Sequence, residues 1–371
     1  MRYSYIIAIC SIVLNVCGCR HSGASSVLST FNDSHELSLA DSIDLERFGI
    51  AMPTDMLCYE DWFIIEKRGG DNTVDLINPE TGTSIRCLMT GRGPGEVLII
   101  GSMQLRNDML HVFDSSRQNY IVLDLEATID EGKQVIAETT ALDTKDENTG
   151  DIEQPFALYK CKTAYLAAGL YGDGSWFRLL DSSWHSVSTI PMADFNELDN
   201  LSVLEKASLH VTSSFSVRPD GRRGICAMDS GATFSIFSLD HDDIQEINRT
   251  IHFTPSLTPS GVSGLLSPRH NPDDVRGFCD VDSDQQYVYL LFSGKEFSDF
   301  DDPSFLCNHL LVYDWDGNPV RRYELEKSVS SIHLHDGRIY GTSMYPESRI
   351  YVYDLPPQED SVHGSVTHPG R

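Results

Sequence analysis

The segment Leu310-Leu311-Val312-Tyr313-Asp314-Trp315-Asp316-Gly317-Asn318-Pro319 decides the fold. Its first four residues read as a strand, and Asp316-Gly317-Asn318-Pro319 supplies the turn chemistry that ends it. The unit, a strand that closes on Asp or Asn before a turn, recurs five more times. It appears as Val74-Asp75-Leu76-Ile77-Asn78, Ile121-Val122-Leu123-Asp124, Phe177-Arg178-Leu179-Leu180-Asp181, Ser235-Ile236-Phe237-Ser238-Leu239-Asp240 and Ile350-Tyr351-Val352-Tyr353-Asp354. The end points lie 46, 57, 59, 74 and 40 residues apart, averaging 55. A four-stranded propeller blade needs about 40–50 residues, and longer loops absorb the surplus. Six end points predict six blades.

Around these units the apolar period stays at two. Trp62-Phe63-Ile64-Ile65, Leu110-His111-Val112-Phe113 and Tyr287-Val288-Tyr289-Leu290-Leu291-Phe292 read as further strands, and only 195–207 suggests a short helix. The last unit stops at Asp354, before Pro356-Pro357 and a polar tail, so the sixth blade lacks a strand. A spare alternating segment with Leu37, Leu39, Ile43, Leu45 and Phe48 stands at the other end. Pairing it with the last blade removes the exposed edges of an open array. The chain is thus expected to be all-β: a six-bladed β-propeller of four-stranded antiparallel blades over 37–355, its ring closed by an N-terminal strand, with a polar tail over 356–371.

The N-terminus carries an address. Arg2 precedes a mostly apolar run from Tyr5 to Val16, 12 residues long. A helix of that length falls short of a ~30 Å hydrocarbon core and matches a signal peptide instead. Val16-Cys17-Gly18-Cys19 resembles a bacterial lipobox, with Cys19 as the lipid attachment residue. Residues 1–18 are then the signal, and 19–36, rich in Ser, Gly, Ala, Asn and Asp, a lipid anchor and flexible tether. Several acyl chains on one cysteine hold a protein on a membrane nearly permanently. No later run approaches 18 apolar residues, so the remainder is expected as a soluble domain outside the cytoplasm.

Composition removes other classes. With 55 Asp and Glu against 28 Lys and Arg, the formal charge of −27 repels nucleic acid, whose affinity is dominated by phosphate contact. Rossmann and P-loop fingerprints are missing, as are Gly-x-Ser-x-Gly, His-Glu-x-x-His and Ser-x-x-Lys, so no catalytic residue and no cofactor is assigned. The cysteines after Cys19 are Cys58, Cys87, Cys161, Cys226, Cys279 and Cys307. Strand order puts Cys58 and Cys87 roughly 14 Å apart and Cys279 and Cys307 roughly 10 Å apart, beyond disulfide reach. Free buried thiols are expected.

Gly91-Arg92-Gly93-Pro94-Gly95-Glu96 forces an unusual backbone path between blades 1 and 2, offering Arg92 and Glu96 to the face where propellers usually bind ligands. The longest connection, 254–276, carries Arg269, His270 and Arg276 against the acidic background. These five residues form the candidate partner-binding set, beside a reading in which Arg92 and Glu96 only stabilise a crossover. Asp280-Val281-Asp282-Ser283-Asp284 begins like a calcium loop but has Gln285 and Leu291 where Gly and Glu belong, so it reads as an acidic turn. His333-Leu334-His335 sets two imidazoles on one strand face, which would grip a metal only with a third ligand. No metal site is assigned.

Arg92-Gly93-Pro94-Gly95-Glu96, Arg218-Pro219-Asp220-Gly221, Tyr289-Leu290-Leu291-Phe292-Ser293-Gly294 and Val312-Tyr313-Asp314-Trp315-Asp316-Gly317-Asn318 together resemble the TolB-like six-bladed β-propeller lipoproteins of the Bacteroidetes envelope. The resemblance runs from about Leu37 to Leu355. It implies the fold and an envelope location, and brings no established activity. Arg20-His21-Ser22-Gly23, where surface-exposed lipoproteins usually carry acidic residues, favours an outer-membrane lipoprotein facing the periplasm, with the cell surface as the alternative. The function expected is non-catalytic: a monomeric, lipid-anchored scaffold recognising an envelope protein or glycan. The competing expectation is a glycan hydrolase or lyase with its site in the central channel. Channel carboxylates, or a histidine among them, separate the two.

Overall fold

The Asp and Asn residues of the repeat are turn-formers. Asn78 Oδ1 accepts from the Glu80 and Thr81 amides, Asp181 Oδ1 from Ser183 and His185, and Asp314 Oδ1 from Asp316 and Asn318. Asp124 instead caps the helix Leu125–Glu131 through the Ala127 amide, at 2.9 Å. A short polar side chain that bonds its own downstream backbone stops a strand where it stands. In every blade this residue closes or directly follows the third strand.

The computed structural model describes residues 22–142, 154–191, 201–209, 211–254, 257–258, 269–271, 273–299 and 301–356. The signal segment and Cys19 lie outside these residues, as does the tail beyond Pro356. Blade 1 comprises Pro53–Tyr59, Trp62–Lys67, Asn72–Asn78 and Thr83–Met89; blade 2, Ile100–Arg106, Met109–Asp114, Asn119–Asp124 and Ile136–Ala141. Blade 3 comprises Gln154–Lys160, Tyr165–Leu170, Ser175–Leu180 and Ser186–Pro191; blade 4, Ser214–Val217, Arg223–Ala227, Ala232–Leu239 and Ile244–Phe253. Blade 5 comprises Phe278–Ser283, Tyr287–Phe292, Cys307–Asp314 and Pro319–Val329. Blade 6 has Ser331–His335, Arg338–Ser343 and Arg349–Asp354, and its fourth strand is Asp41–Asp44. The sheets are antiparallel within each blade, and the first strand of each is the innermost. This is the six-bladed ring the repeat predicts.

Closure follows the expected route with a division of labour. Asp41–Asp44 pairs with Arg349–Asp354, Ile43 opposite Ile350. Leu37, expected on that same strand, lies on Ser34–Leu37, which runs parallel to Pro319–Val329 as a fifth strand of blade 5, Leu37 opposite Leu325. Leu45 is fully buried against blades 1 and 6, and Phe48 ends the short 3-10 turn Glu46–Phe48. The N-terminal segment therefore straddles two blades.

The expected flexible tether over 19–36 is corrected from Ser22 onward. Ser22–Ser29 is helical, and Val27 and Phe31 pack with Phe234, Phe292 and Tyr313 of blades 4 and 5. Ala24 and Leu28, half-buried against the same cluster, complete the face that docks this segment on the ring. The helix suggested for 195–207 is found as Val203–Ser208, with Ser202 and Glu205 forming a reciprocal capping box.

Large side chains fill the spaces between blades. Trp176, Phe177, Phe215 and Phe237 join blades 3 and 4, and Phe234, Phe278, Phe292 and Tyr313 join blades 4 and 5. Among the described residues no helix is long and apolar enough to cross a membrane. The six cysteines after Cys19 are free, as expected, but the spacing of one pair is not. Cys279 and Cys307 bring their Sγ atoms to 3.0 Å. Cys279 sits at the bulge between Phe278 and Asp280, and Cys307 lies beyond His309, the partner of the last residue of the middle strand. No strand intervenes where they meet.

Candidate functional site: the central channel

Each innermost strand has one edge with no strand beside it, and a free edge leaves amides without partners. Polar side chains two residues apart on one inner strand satisfy the next. Ser102 Oγ accepts from the Leu158 amide at 3.0 Å and Gln104 Oε1 from Lys160 at 2.9 Å. Ser214 Oγ donates to the Cys279 carbonyl and Ser216 Oγ meets Ser283 Oγ at 2.8 Å. Asp280 Oδ2 accepts from the Ile332 amide at 2.7 Å and Asp282 Oδ2 from Leu334 at 2.8 Å. The Asp280-to-Asp284 run is thus corrected: only Asp284 serves the turn, accepting from Gln286 and Tyr287, and the other two carboxylates face the ring's axis.

Asp280→Ala strands the Ile332 amide, at a cost of about 1–3 kcal/mol. Asp280→Asn keeps an oxygen for that amide and is expected to lose clearly less. Urea unfolding of the two variants measures the difference, and equal losses would show that the seam contributes nothing.

The channel so framed is a cavity of about 890 Å³. It runs from Thr54, Gly101 and Ser330 at one end to Tyr59, Asp108, Pro219 and Asp336 at the other. Its most unusual pair is Asp55 and Glu66, which stand directly opposite each other in the antiparallel ladder of blade 1. Cβ atoms of such partners lie about 5 Å apart, and like charges there repel. Burial is the largest influence on both. It raises Asp55 to about 6 against the opposing pull of the Met56 amide and His333. It raises Glu66 to about 8, with the Asp55 charge adding to the shift. Asp280 is pushed well above the usual carboxylate range, first by burial and then by Asp55. At neutral pH Glu66 is therefore mainly a neutral carboxyl, able to donate as well as accept. On the neighbouring inner strand of blade 6, His333 Nδ1 meets Asp282 Oδ2 of blade 5 at 3.0 Å.

His333 and His335 do not share a ligand-like arrangement: His335 Nε2 turns to Asp336 at 3.5 Å. Among the described residues no three His, Cys, Asp or Glu side chains converge as a metal-holding group.

The residues singled out from sequence lie elsewhere. Glu96 folds back on its own loop, where its Oε2 accepts from the Gly93 amide at 2.5 Å, and Arg117 ties down the Gly93 and Glu96 carbonyls. A Cβ at Gly91 or Gly93 would meet the Glu96 carboxylate, so a larger residue at either would push Glu96 off its place on the loop. Arg92 is exposed at the rim. Arg276 lies three junctions around the ring, its Nε 3.3 Å from Asp229 Oδ1 and its guanidinium over the Phe297 ring at 4.7 Å. Burial raises Asp229 to about 6, and Arg276 works against that rise. His270 stacks on the same Phe297 at 4.3 Å and meets Ser230 Oγ at 3.2 Å, while Arg269 pairs with Thr258 in a two-residue ladder. The structure gathers Arg269, His270 and Arg276 on one side, Arg92 and Glu96 on the other, and none of the five in the channel lining. Asp55 and Glu66 escaped the sequence reading, whereas Asp280, Asp282 and His333 were noticed there but read as an acidic turn and an unfilled metal pair rather than as channel residues. The available signal was polar residues at i, i+2 on the first strand of each unit.

The profile described as TolB-like 6-blade propeller-like matches residues 40–337. The chain belongs to this family. Among solved structures, this TolB-like propeller is similar to the β-propeller domain of Cps50 (Swd1) from Myceliophthora thermophila, at 12% identity and a TM-score of 0.50, over 86% of this chain and 99% of that one. It is also similar to a putative exported protein of Bacteroides fragilis, at 9% identity and a TM-score of 0.50, over 87% and 99% respectively. At these identities the likeness is one of fold. A search of curated sequences returns no match.

Proposed function

We propose that this TolB-like propeller is an outer-membrane lipoprotein of the cell envelope, anchored through Cys19, whose central channel binds an oligosaccharide. The channel carries the reading: it is a polar recess of about 890 Å³ rather than a plugged axis, and its Asp55–Glu66 pair includes a neutral carboxyl at neutral pH. A recess of that size suits a small ligand and excludes the surface of a folded protein, which favours the glycan over the protein partner. Neutral and ionised carboxyls side by side both donate to and accept from sugar hydroxyls. The lipobox-like Val16-Cys17-Gly18-Cys19 supports the anchor, and Arg20-His21 after it supports a periplasmic orientation. Arg92, Glu96, Arg269, His270 and Arg276 remain rim residues for a second, protein contact. Cys19→Ser is expected to abolish incorporation of labelled fatty acid; retained label would remove the anchor from the proposal.

Catalysis is the second reading, favoured by the Glu66 carboxyl raised to about 8 beside Asp55, and by the Asp282–His333 pair on the adjoining inner strands. A carboxyl protonated at neutral pH is what a general acid requires, and two carboxyls in different environments divide the roles of acid and base. Titration of the protein with neutral and amino-sugar oligosaccharides, with the release of reducing ends followed in the same samples, separates the readings. Binding without release supports recognition, and release abolished by Glu66→Gln supports hydrolysis.

A further inference from the structure

The meeting of Cys279 and Cys307 is unexplained by the channel's chemistry. Their sulfurs are 3.0 Å apart, inside the contact distance of two thiols and about 1 Å from bonding distance. The two residues are separated by 28 positions and lie on the first and third strands of the blade, meeting just past the end of the strand between them, so chain connectivity alone does not hold them together. The loop from Phe292 to Cys307 does. It folds back so that the Ser304 carbonyl accepts from Ser293 Oγ at 2.6 Å and lies 3.7 Å from Cys279 Sγ and 3.9 Å from Cys307 Sγ. Cys307 is fully buried, whereas Cys279 is partly exposed and lines the channel. Cys58, Cys87, Cys161 and Cys226 are buried at other places in the ring.

We propose that Cys279 and Cys307 form a disulfide that clamps the inner strand of blade 5 to its third strand where the middle strand ends. The bond forms by exchange with a small disulfide oxidant such as cystine or oxidised glutathione. The Cys279 thiolate attacks one oxidant sulfur from the channel, releasing one thiol and leaving a mixed disulfide. The Cys307 thiolate then attacks the Cys279 sulfur, displacing the second thiol. Two electrons pass to the oxidant, and the two thiol protons pass through solvent to its leaving sulfurs. Cys279 directly precedes Asp280, so the bond also fixes the strand whose carboxylate holds blade 6. The chemistry depends on the oxidant and not on the anchor or the ligand, so it stands or falls independently of the proposed function.

The test treats the purified full chain with cystine, denatures it without reductant, alkylates it and digests it. Cys58, Cys87, Cys161 and Cys226 are expected to carry the alkyl label. Cys279 and Cys307 are expected unlabelled, in one linked peptide pair lighter by two hydrogens and split by reductant. Closing a loop of this length is expected to raise Tm by roughly 5 °C over the reduced chain. In Cys307→Ser, reductant is expected to leave Tm unchanged. Full alkylation of all six residues after cystine would overturn the proposal, as would a reductant effect on Tm as large in Cys307→Ser as in the unmodified sequence.

Discussion

Removing residues 34–44 is expected to unfold the propeller rather than trim it. Those residues supply the fifth strand of blade 5 and the closing strand of blade 6. Leu37 is buried against Tyr323 and Leu325, and Leu39 and Ile43 pack into the same two blades. Leu45, fully buried, loses the chain that positions it. At about 1.5–3 kcal/mol per fully buried side chain and about half that for the half-buried Leu39 and Ile43, the four residues contribute roughly 5–9 kcal/mol, comparable with the whole stability of a typical domain. Loss of the strands also exposes the edges of Arg349–Asp354 and Pro319–Val329, so aggregation accompanies unfolding. Circular dichroism melting of the shortened chain is expected to show no cooperative transition near that of the intact one. A Tm within a few degrees of the intact chain would show that the ring closes without its N-terminal strand.

The second large effect concerns Glu66, and pH gives it a sign. A carboxyl raised from about 4.5 to about 8 on folding means that the native state binds its proton more tightly. That contribution is fully present below about 4.5 and is lost as pH rises through about 8. Asp55 acts in the same direction from its ordinary value up to about 6. The melting temperature of the protein is therefore expected to fall between pH 5 and pH 9. Glu66→Gln, which keeps a neutral side chain of the same shape, is expected to flatten the upper part of that fall and to exceed the unmodified protein by a few degrees at pH 9. The same variant is expected to retain oligosaccharide binding at pH 9, where ionisation of Glu66 weakens it in the unmodified channel. Parallel melting curves with no crossover would mean that Glu66 does not hold its proton in the folded state.

Much of the ring was legible because its signals are local. An Asp or Asn at a strand end recurs in all six units and counted the blades, and in four of them, Asn78, Asp124, Asp181 and Asp314, it bonds the next few amides. The need for a closing strand followed from Asp354 being the end of a third strand. What stayed hidden depends on several segments at once. Val27 and Phe31 stand in a polar stretch without apolar periodicity, and only the surface of blades 4 and 5 gives them something to pack against. Cys279 and Cys307 were separated by counting strands, a method blind to a strand that stops early. The site was misplaced for a related reason. Arg92 and Arg276 stand out against an acidic sequence, yet Arg276 serves Asp229 and Phe297. Asp55 and Glu66 are ordinary in sequence and become unusual only as cross-strand neighbours beside the axis.

Calorimetric titration at pH 7 compares the intact protein with Asp55→Ala/Glu66→Ala, using neutral and amino-sugar oligosaccharides of three to six units. The account predicts saturable binding of one ligand per chain, weakened at least tenfold in the double variant, which corresponds to about 1.4 kcal/mol for hydrogen bonds lost in the channel. Equal affinity in the two proteins, or no binding of any oligosaccharide by the intact one, would contradict it.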